Sequence, residues 1–247
     1  MAADRYFEPA PESINTDEFR KVVTSRRSVR KFTDTSIPAA VLEDCLDMAM
    51  LAPNSSNLQQ WHFYLVQSPE KKQKLVTACL DQNAARTAAE LIVIVASTGS
   101  WREHARMTLE QWPQPVIPPI VQQYYGRLAP FYYGIGPWGT LGLLKQGIAR
   151  VSGLFKPVPR GPFNQAEMRL WAAKSVALAA ENLMLALRAH GFDSCPMEGF
   201  DEVRVRRLLD LPKDAFVVMV LAAGERARDG VYYPRLRFDR ARFVHRV

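Results

Sequence analysis

Leu91 to Ala96 reads LIVIVA, an apolar run with no polar face to offer water. A strand of this kind needs cover on both sides. Phe216 to Ala222 (FVVMVLA) makes the same demand a second time. Part of the cover is written between residues 168 and 190, where Trp171, Val176, Leu183, Met184 and Leu187 recur at helical spacing. Gly191 follows as a natural helix end, because glycine enters the left-handed conformation without a Cβ penalty. Two strands buried on both faces and one long apolar helix impose a layered domain with helices packed on a sheet.

The remaining elements fit that frame. Residues 13–25 are expected to form a short helix with Phe19, Val22 and Val23 on one face. Pro38 suits a first helical turn, Val41, Leu42, Cys45, Leu46, Met48 and Ala49 recur behind it, and Pro53 stops the run. Trp61 to Val66 alternates and is rich in aromatics, which predicts a strand. Further short helices are expected at 70–80 and 203–209. The resulting order, α, α, β, α, β, long α, α, β, predicts an α+β fold for residues 1–247 as one domain. The opening MAADRYFEPAPES carries acids and no apolar core, and no run of about 18 apolar residues occurs. The expectation is a cytoplasmic protein. Cys45, Cys79 and Cys195 lie far apart without a C-x-x-C, which argues against a disulfide framework or a thiolate zinc site.

Residues 101–162 break the pattern. They hold nine of the 17 prolines, nine aromatics, seven Lys/Arg and only two acids, with no legible strand. Such a stretch is expected to be an insertion serving as a lid, a dimer arm or a membrane contact. Within it, Trp138, Leu141, Leu144, Ile148, Val151 and Phe155 share a helical face, with Lys145, Arg150 and Lys156 supplying charge. A lid or dimer arm is favoured, because Gly142, Gly147 and Gly153 weaken the helix. Gly134-Ile135-Gly136-Pro137-Trp138-Gly139 matches G-x-G-x-x-G, but no buried strand precedes it and no acid occurs between Glu110 and Glu167. It is a loop and not a dinucleotide fingerprint.

The net charge of +7 is concentrated in that segment and in the last 22 residues, which hold seven arginines. No nucleic-acid recognition motif accompanies it, so nucleic acid is not an expected partner. The four histidines are scattered, and no P-loop, H-E-x-x-H or G-x-S-x-G motif occurs. An enzyme without such a motif or a cluster of catalytic side chains needs a cofactor that brings its own chemistry. Arg26, Ser28 and Arg30 share one face if extended, and Arg235 and Arg237 repeat the arrangement; guanidinium forks suit phosphate oxygens. Asn57 and Gln59 follow a helix-ending proline and precede an aromatic strand, where carboxamides can meet a polar heterocycle edge.

Three motifs in order resemble the FMN-dependent nitroreductases. S-R-R-S-V-R-K-F is similar to that family's R-R-S-x-R-x-F, and A-P-N-S-S-N-L-Q-Q-W-H-F to its A-P-S-S-x-N-x-Q-P-W-x-F. G-F-D-S-C-P-M-E-G-F-D is similar to its G-x-x-S-x-P-x-E-G-F-D. The resemblance implies a mainly antiparallel sheet flanked by helices and an obligate homodimer with FMN at the subunit interface. It implies hydride transfer from NAD(P)H, in ping-pong order, to nitroaromatic, quinone or similar small-molecule acceptors. Dehalogenation, enone reduction, or flavin binding with little turnover are the alternatives. By the same resemblance, Arg26, Ser28, Arg235 and Arg237 bind the phosphate and ribityl end, and Arg27 helps through its backbone. Arg30 lies by the flavin N1–C2=O edge, where a permanent cation stabilises the charge of the reduced ring. Asn54, Ser55, Ser56, Asn57 and Gln59 form a cofactor-binding loop, of which Asn57 and Gln59 come from the partner subunit. The amides of Glu198 and Gly199 meet N5 and O4, Pro196 and Met197 line the ring, and Asn83 and Arg86 sit at the pyrimidine edge. Gln60 and Asn54 depart from the usual Pro and Ser and are expected to adjust the loop only.

Overall fold

The computed structural model describes residues 8–11 and 13–247. Among them, four strands form one antiparallel sheet in the order β1-β2-β4-β3: β1 (Trp61–Leu65), β2 (Glu90–Ser97), β3 (Asp193–Met197) and β4 (Ala215–Gly224). The fold is α+β, as the order of elements implied, and its antiparallel sheet is flanked by helices, as the motif resemblance implied. The two apolar runs are the central strands, and each faces two cores. Ile92, Ile94 and Ala96 point to one side of β2, while Leu91, Val93 and Val95 point to the other. A register shift at Ile94/Val95 lets β4 keep both faces apolar through Val218 and Met219. β3 was not legible as a strand, because Asp193, Ser194 and Pro196 interrupt its apolar pattern. Proline is tolerated there because β3 lies at the sheet edge.

Helix α2 (Ala39–Met50) and the long α9 (Gln165–Ala189) cover one face of the sheet. The short helices α3 (Pro69–Ala78), α4 (Asn83–Thr87) and α10 (Glu202–Leu208) cover the other. Helix starts follow their sequence signals: Ser68, Asn164 and Asp201 each accept a backbone N–H from the first turn. Gly191 takes φ +90° just beyond α9. Helix α9 is long and apolar enough to span a membrane by composition, yet over half of its most apolar window is buried in the core. Helix α1 (Thr16–Ser25) forms as expected, capped by Asn15, but buries nothing; Phe19 and Val23 are exposed.

The segment 101–162 is mostly helical: α5 (Trp101–Glu110), α6 (Pro119–Gln123), a π-helical turn (Tyr124–Leu128), α7 (Ala129–Tyr133) and α8 (Thr140–Ser152). Gly136 and Gly139 lie in a left-handed turn preceded by α7 and not by a strand. On α8 the expected apolar face exists but turns outward, with Leu144, Ile148 and Val151 exposed. The buried side is Gly142, Lys145 and Ala149. Lys145 was expected to supply surface charge, but its Nζ donates to the carbonyls of Phe131 at 3.1 Å, Tyr132 at 2.8 Å and Pro162 at 3.4 Å. It thus satisfies carbonyls at the end of α7. Burial lowers its pKa, partly offset by Glu167.

Gly142 is there for packing, since a Cβ at that position would meet the Phe163 carbonyl oxygen at 1.8 Å. Gly142→Ala is expected to destabilise the protein by about 2 kcal/mol, the cost of forced overpacking. Gly147 has nothing within 4 Å of its added Cβ. Gly147→Ala is expected to stabilise by about 0.5–1 kcal/mol through helix propensity. Urea unfolding of the two variants checks the opposite signs.

Candidate functional site

The two ends of the chain are joined by backbone pairing. Ser28 forms a parallel bridge with Ser194 of β3, and Phe32 an antiparallel one with Arg226. Val29 N–H donates to Ser194 O at 3.1 Å, Arg30 N–H to Gly230 O at 2.7 Å, and Thr33 N–H to Glu225 O at 2.9 Å. Residues 28–33 therefore run as an extended strip between β3 and the chain leaving β4. Gly230 permits the approach, because an added Cβ would meet Lys31 O at 2.4 Å. Beneath the strip lies an ion cluster. Asp193, only 2% exposed, accepts from Arg188 at 2.8 Å and from Arg226 at 3.0 and 2.6 Å. Arg226 also donates to Ser25 O at 3.2 Å, which ties the end of α1 to β3.

This pairing opens a cleft of about 520 Å³ lined by Arg26, Arg27, Ser28, Arg30, Arg235 and Arg237, with Asn83 and Tyr232 alongside. The expected face of Arg26, Ser28 and Arg30 is present, and the distant Arg235 and Arg237 join it. Arg27 contributes its side chain as well, donating from Nη2 to Tyr233 O at 2.5 Å. Arg235 donates to Arg26 O. Among the described residues, Arg26 meets one carboxylate, Glu181, at 3.9 Å, and the other four arginines form no ion pair. Desolvation and the neighbouring Arg237, Arg27 and Arg26 lower the pKa of Arg235. So much unpaired positive charge in one hollow attracts a multiply charged anion.

One wall continues into the end of β3. The bridge from Ser28 and the Val29 N–H to Ser194 set Arg30 beside this strand, where Cys195 is buried and burial raises its pKa against a smaller opposing effect of the Arg30 charge. Met197 is buried, whereas Glu198 and Gly199 are exposed just beyond the strand. Among the described residues, the N–H groups of Glu198 and Gly199 find no acceptor. Gln82 lines the cleft and donates to Gly199 O at 2.7 Å, and Asn83 donates to the Tyr232 hydroxyl at 2.9 Å. Arg86, one turn further along α4, is exposed and does not line the cleft. Gln82 and Tyr232 were missed in the sequence, although Tyr232 is three residues before Arg235.

The loop Asn54–Gln59 does not border this cleft. Asn57 and Gln59 line a separate hollow of about 380 Å³ with His104, Met107, Thr108 and Trp112. Ser56, Asn57 and Gln59 have φ of 59°, 50° and 44°, left-handed conformations unusual outside glycine. Asn54 Oδ1 accepts the Gln59 N–H at 2.8 Å, so the departure at Asn54 closes the loop on itself. Gln60 is fully buried, and its backbone carbonyl accepts the Ser97 N–H at 2.9 Å. His104 Nδ1 lies 2.6 Å from Leu58 O, a contact that requires the proton on Nδ1. The Tyr124 and Tyr133 hydroxyls each lie 2.6 Å from the Ser56 hydroxyl. Burial raises the pKa of Tyr124, although the Ser56 hydrogen bond works against this. The only sequence signal for these tyrosines was the aromatic density of their segment.

Comparison with known proteins matches the same frame. The Nitroreductase family model matches residues 23–225. The 4-nitrobenzoate reductase of Pseudomonas putida is 30% identical over 193 residues, 76% of this chain and 75% of its own length. A Thermus thermophilus protein named NADH dehydrogenase is 29% identical over 215 residues, 87% of this chain and 90% of its own. A protein from Exiguobacterium sibiricum, grouped with the nitroreductases and solved in complex with FMN, superposes with a TM-score of 0.67. It covers 93% of this chain and 97% of its own, at 23% identity. From its sheet order, its paired chain ends and a family match across most of its length, this chain belongs to the nitroreductase family.

Proposed function

We propose that the protein is a homodimeric FMN oxidoreductase that reduces nitroaromatic, quinone or similar acceptors with NAD(P)H. The observation that carries this reading is the cleft in which five guanidinium groups from both chain ends converge with one nearby carboxylate. A phosphate monoester neutralises that charge, and a volume of about 520 Å³ suits a cofactor of this size. The chemistry FMN supplies is two-electron carriage between NAD(P)H and an acceptor, in two half-reactions of a ping-pong cycle.

The chain's own residues then have distinct tasks. Arg26, Ser28, Arg235 and Arg237 hold the phosphate and ribityl end, and Arg27 fixes the tail through Tyr233. Arg30, beside β3, presents a cation to the N1 side of the ring. The N–H groups of Glu198 and Gly199, free among the described residues, would hold the N5 and O4 side of the flavin, and Pro196 and Met197 would line the ring. Asn83 serves the pyrimidine edge; Arg86 is a weaker candidate, because it stands outside the cleft. Asn57 and Gln59, on a loop away from the cleft of their own subunit, serve the partner's. The dimer is supported by the exposed apolar faces of α1 and α9, with Phe19, Val23, Leu170 and Leu178 open to solvent in the single chain. Residues 101–162 act as the arm or lid over this site.

The purified protein is expected to be yellow, to release FMN on denaturation and to sediment as a dimer. Double-reciprocal plots of initial rate against NAD(P)H at several acceptor concentrations should be parallel; intersecting lines exclude the ping-pong order. Arg30→Ala is expected to lower the flavin midpoint potential or weaken FMN retention. Unchanged occupancy and potential in that variant would refute the role of Arg30.

A further inference from the structure

We infer that Tyr124 and Tyr133 are positioning residues that hold the 54–59 loop in the shape required for flavin binding, an inference that rests on the function proposed above. The loop has no glycine, yet Ser56, Asn57 and Gln59 all stand at positive φ. Asparagine tolerates this conformation; serine and glutamine need it imposed by their surroundings. The surroundings converge on Ser56. Its hydroxyl lies 2.6 Å from both the Tyr124 and Tyr133 phenols, and the Tyr125 phenol donates to its carbonyl at 2.9 Å. Tyr133 also lies 3.3 Å from the Ser55 hydroxyl.

The phenols are themselves held in place. Tyr133 is 7% exposed and packs against Trp171, with ring centroids 4.5 Å apart, and against Trp101 at 6.2 Å. Tyr124 and Tyr125 sit edge to face on the π-helical turn, which sends consecutive phenols toward the same serine. A loop shaped by distant side chains keeps its form before any ligand arrives, so binding need not supply the ordering. By shaping this loop in its own subunit, the segment 101–162 acts on flavin affinity at the partner's cleft, separately from anything it does as a lid.

The test compares Tyr124→Phe, Tyr133→Phe, the double variant and Ser56→Ala with wild type. Tyr132→Phe serves as a control, because its hydroxyl makes no hydrogen bond among the described residues. Three readouts are needed: amide exchange of residues 55–60 in the flavin-free protein, the FMN Kd, and the visible circular dichroism of bound flavin. Exchange is expected to rise and the Kd to increase about fivefold per phenol, the worth of one hydrogen bond. The dichroism should change, and Ser56→Ala should match the double variant. Faster exchange with an unchanged Kd overturns the inference, as does a raised Kd without faster exchange. A wild-type chain with no FMN affinity overturns the flavin reading and the consequence drawn here for flavin binding, whereas unchanged amide exchange in the phenol variants overturns the shaping of the loop whatever the FMN affinity.

Discussion

Replacing Arg235 and Arg237 together with alanine is expected to weaken FMN binding about a hundredfold, because each charge-assisted hydrogen bond to phosphate contributes roughly 1.5 kcal/mol or more. Both side chains are exposed on the strip that follows β4, and neither helps form the two cores. The melting temperature without flavin should therefore stay near that of the wild type, so lost affinity cannot be blamed on unfolding. The loss should be specific to the phosphate. Riboflavin, which lacks it but keeps the ribityl chain, should lose far less affinity than FMN does, and added salt should weaken FMN binding to the wild type more than to the variant. Equal FMN affinity of the two proteins by fluorescence titration would remove the cleft from the flavin site.

The second large effect concerns the ion cluster under the strip. Asp193→Ala leaves Arg188 and Arg226 facing each other with no carboxylate between them, in a site where Asp193 is 2% exposed. Removing one member of a buried pair costs about 3 kcal/mol here, at the lower end of the usual range because both arginines keep some solvent. For a chain of this size that corresponds to a fall of roughly 6–12 °C in Tm. Asp193→Asn keeps an acceptor and should lose less. Because Arg226 also holds Ser25 O, the alanine variant should loosen the first residues of the cleft as well. FMN affinity then falls together with stability, unlike the Arg235/Arg237 variant. A melting temperature unchanged in Asp193→Ala would show that the cluster contributes little to the fold.

Much of the architecture was legible because it is written locally. LIVIVA admits no water on either side, and the structure gives β2 a core on each face. The spacing of Trp171, Val176, Leu183 and Leu187, ended by Gly191, describes α9 closely. Of the candidate site, the arginines of both chain ends were legible from their residue type and alternation, and the structure gathers them into one cleft. Arg86 had the right spacing but stands outside. The β3 strand escaped notice because an edge strand tolerates the Asp, Ser and Pro that disguise it.

The sequence alone determined which strands must be buried on both faces, where the long helix α9 runs and ends, and where guanidinium groups are concentrated. Those properties depend on neighbours within a few positions along the chain. Only the tertiary structure decided that α8 turns its apolar face outward and inserts Lys145 among carbonyls. It also decided that Tyr124 and Tyr133 meet at Ser56, and that residues 28–33 pair with the chain beyond β4. Helical periodicity reveals that a face is apolar but not what it packs against. That outcome depends on closing long loops, and on steric limits such as the bare Cα of Gly142 against Phe163.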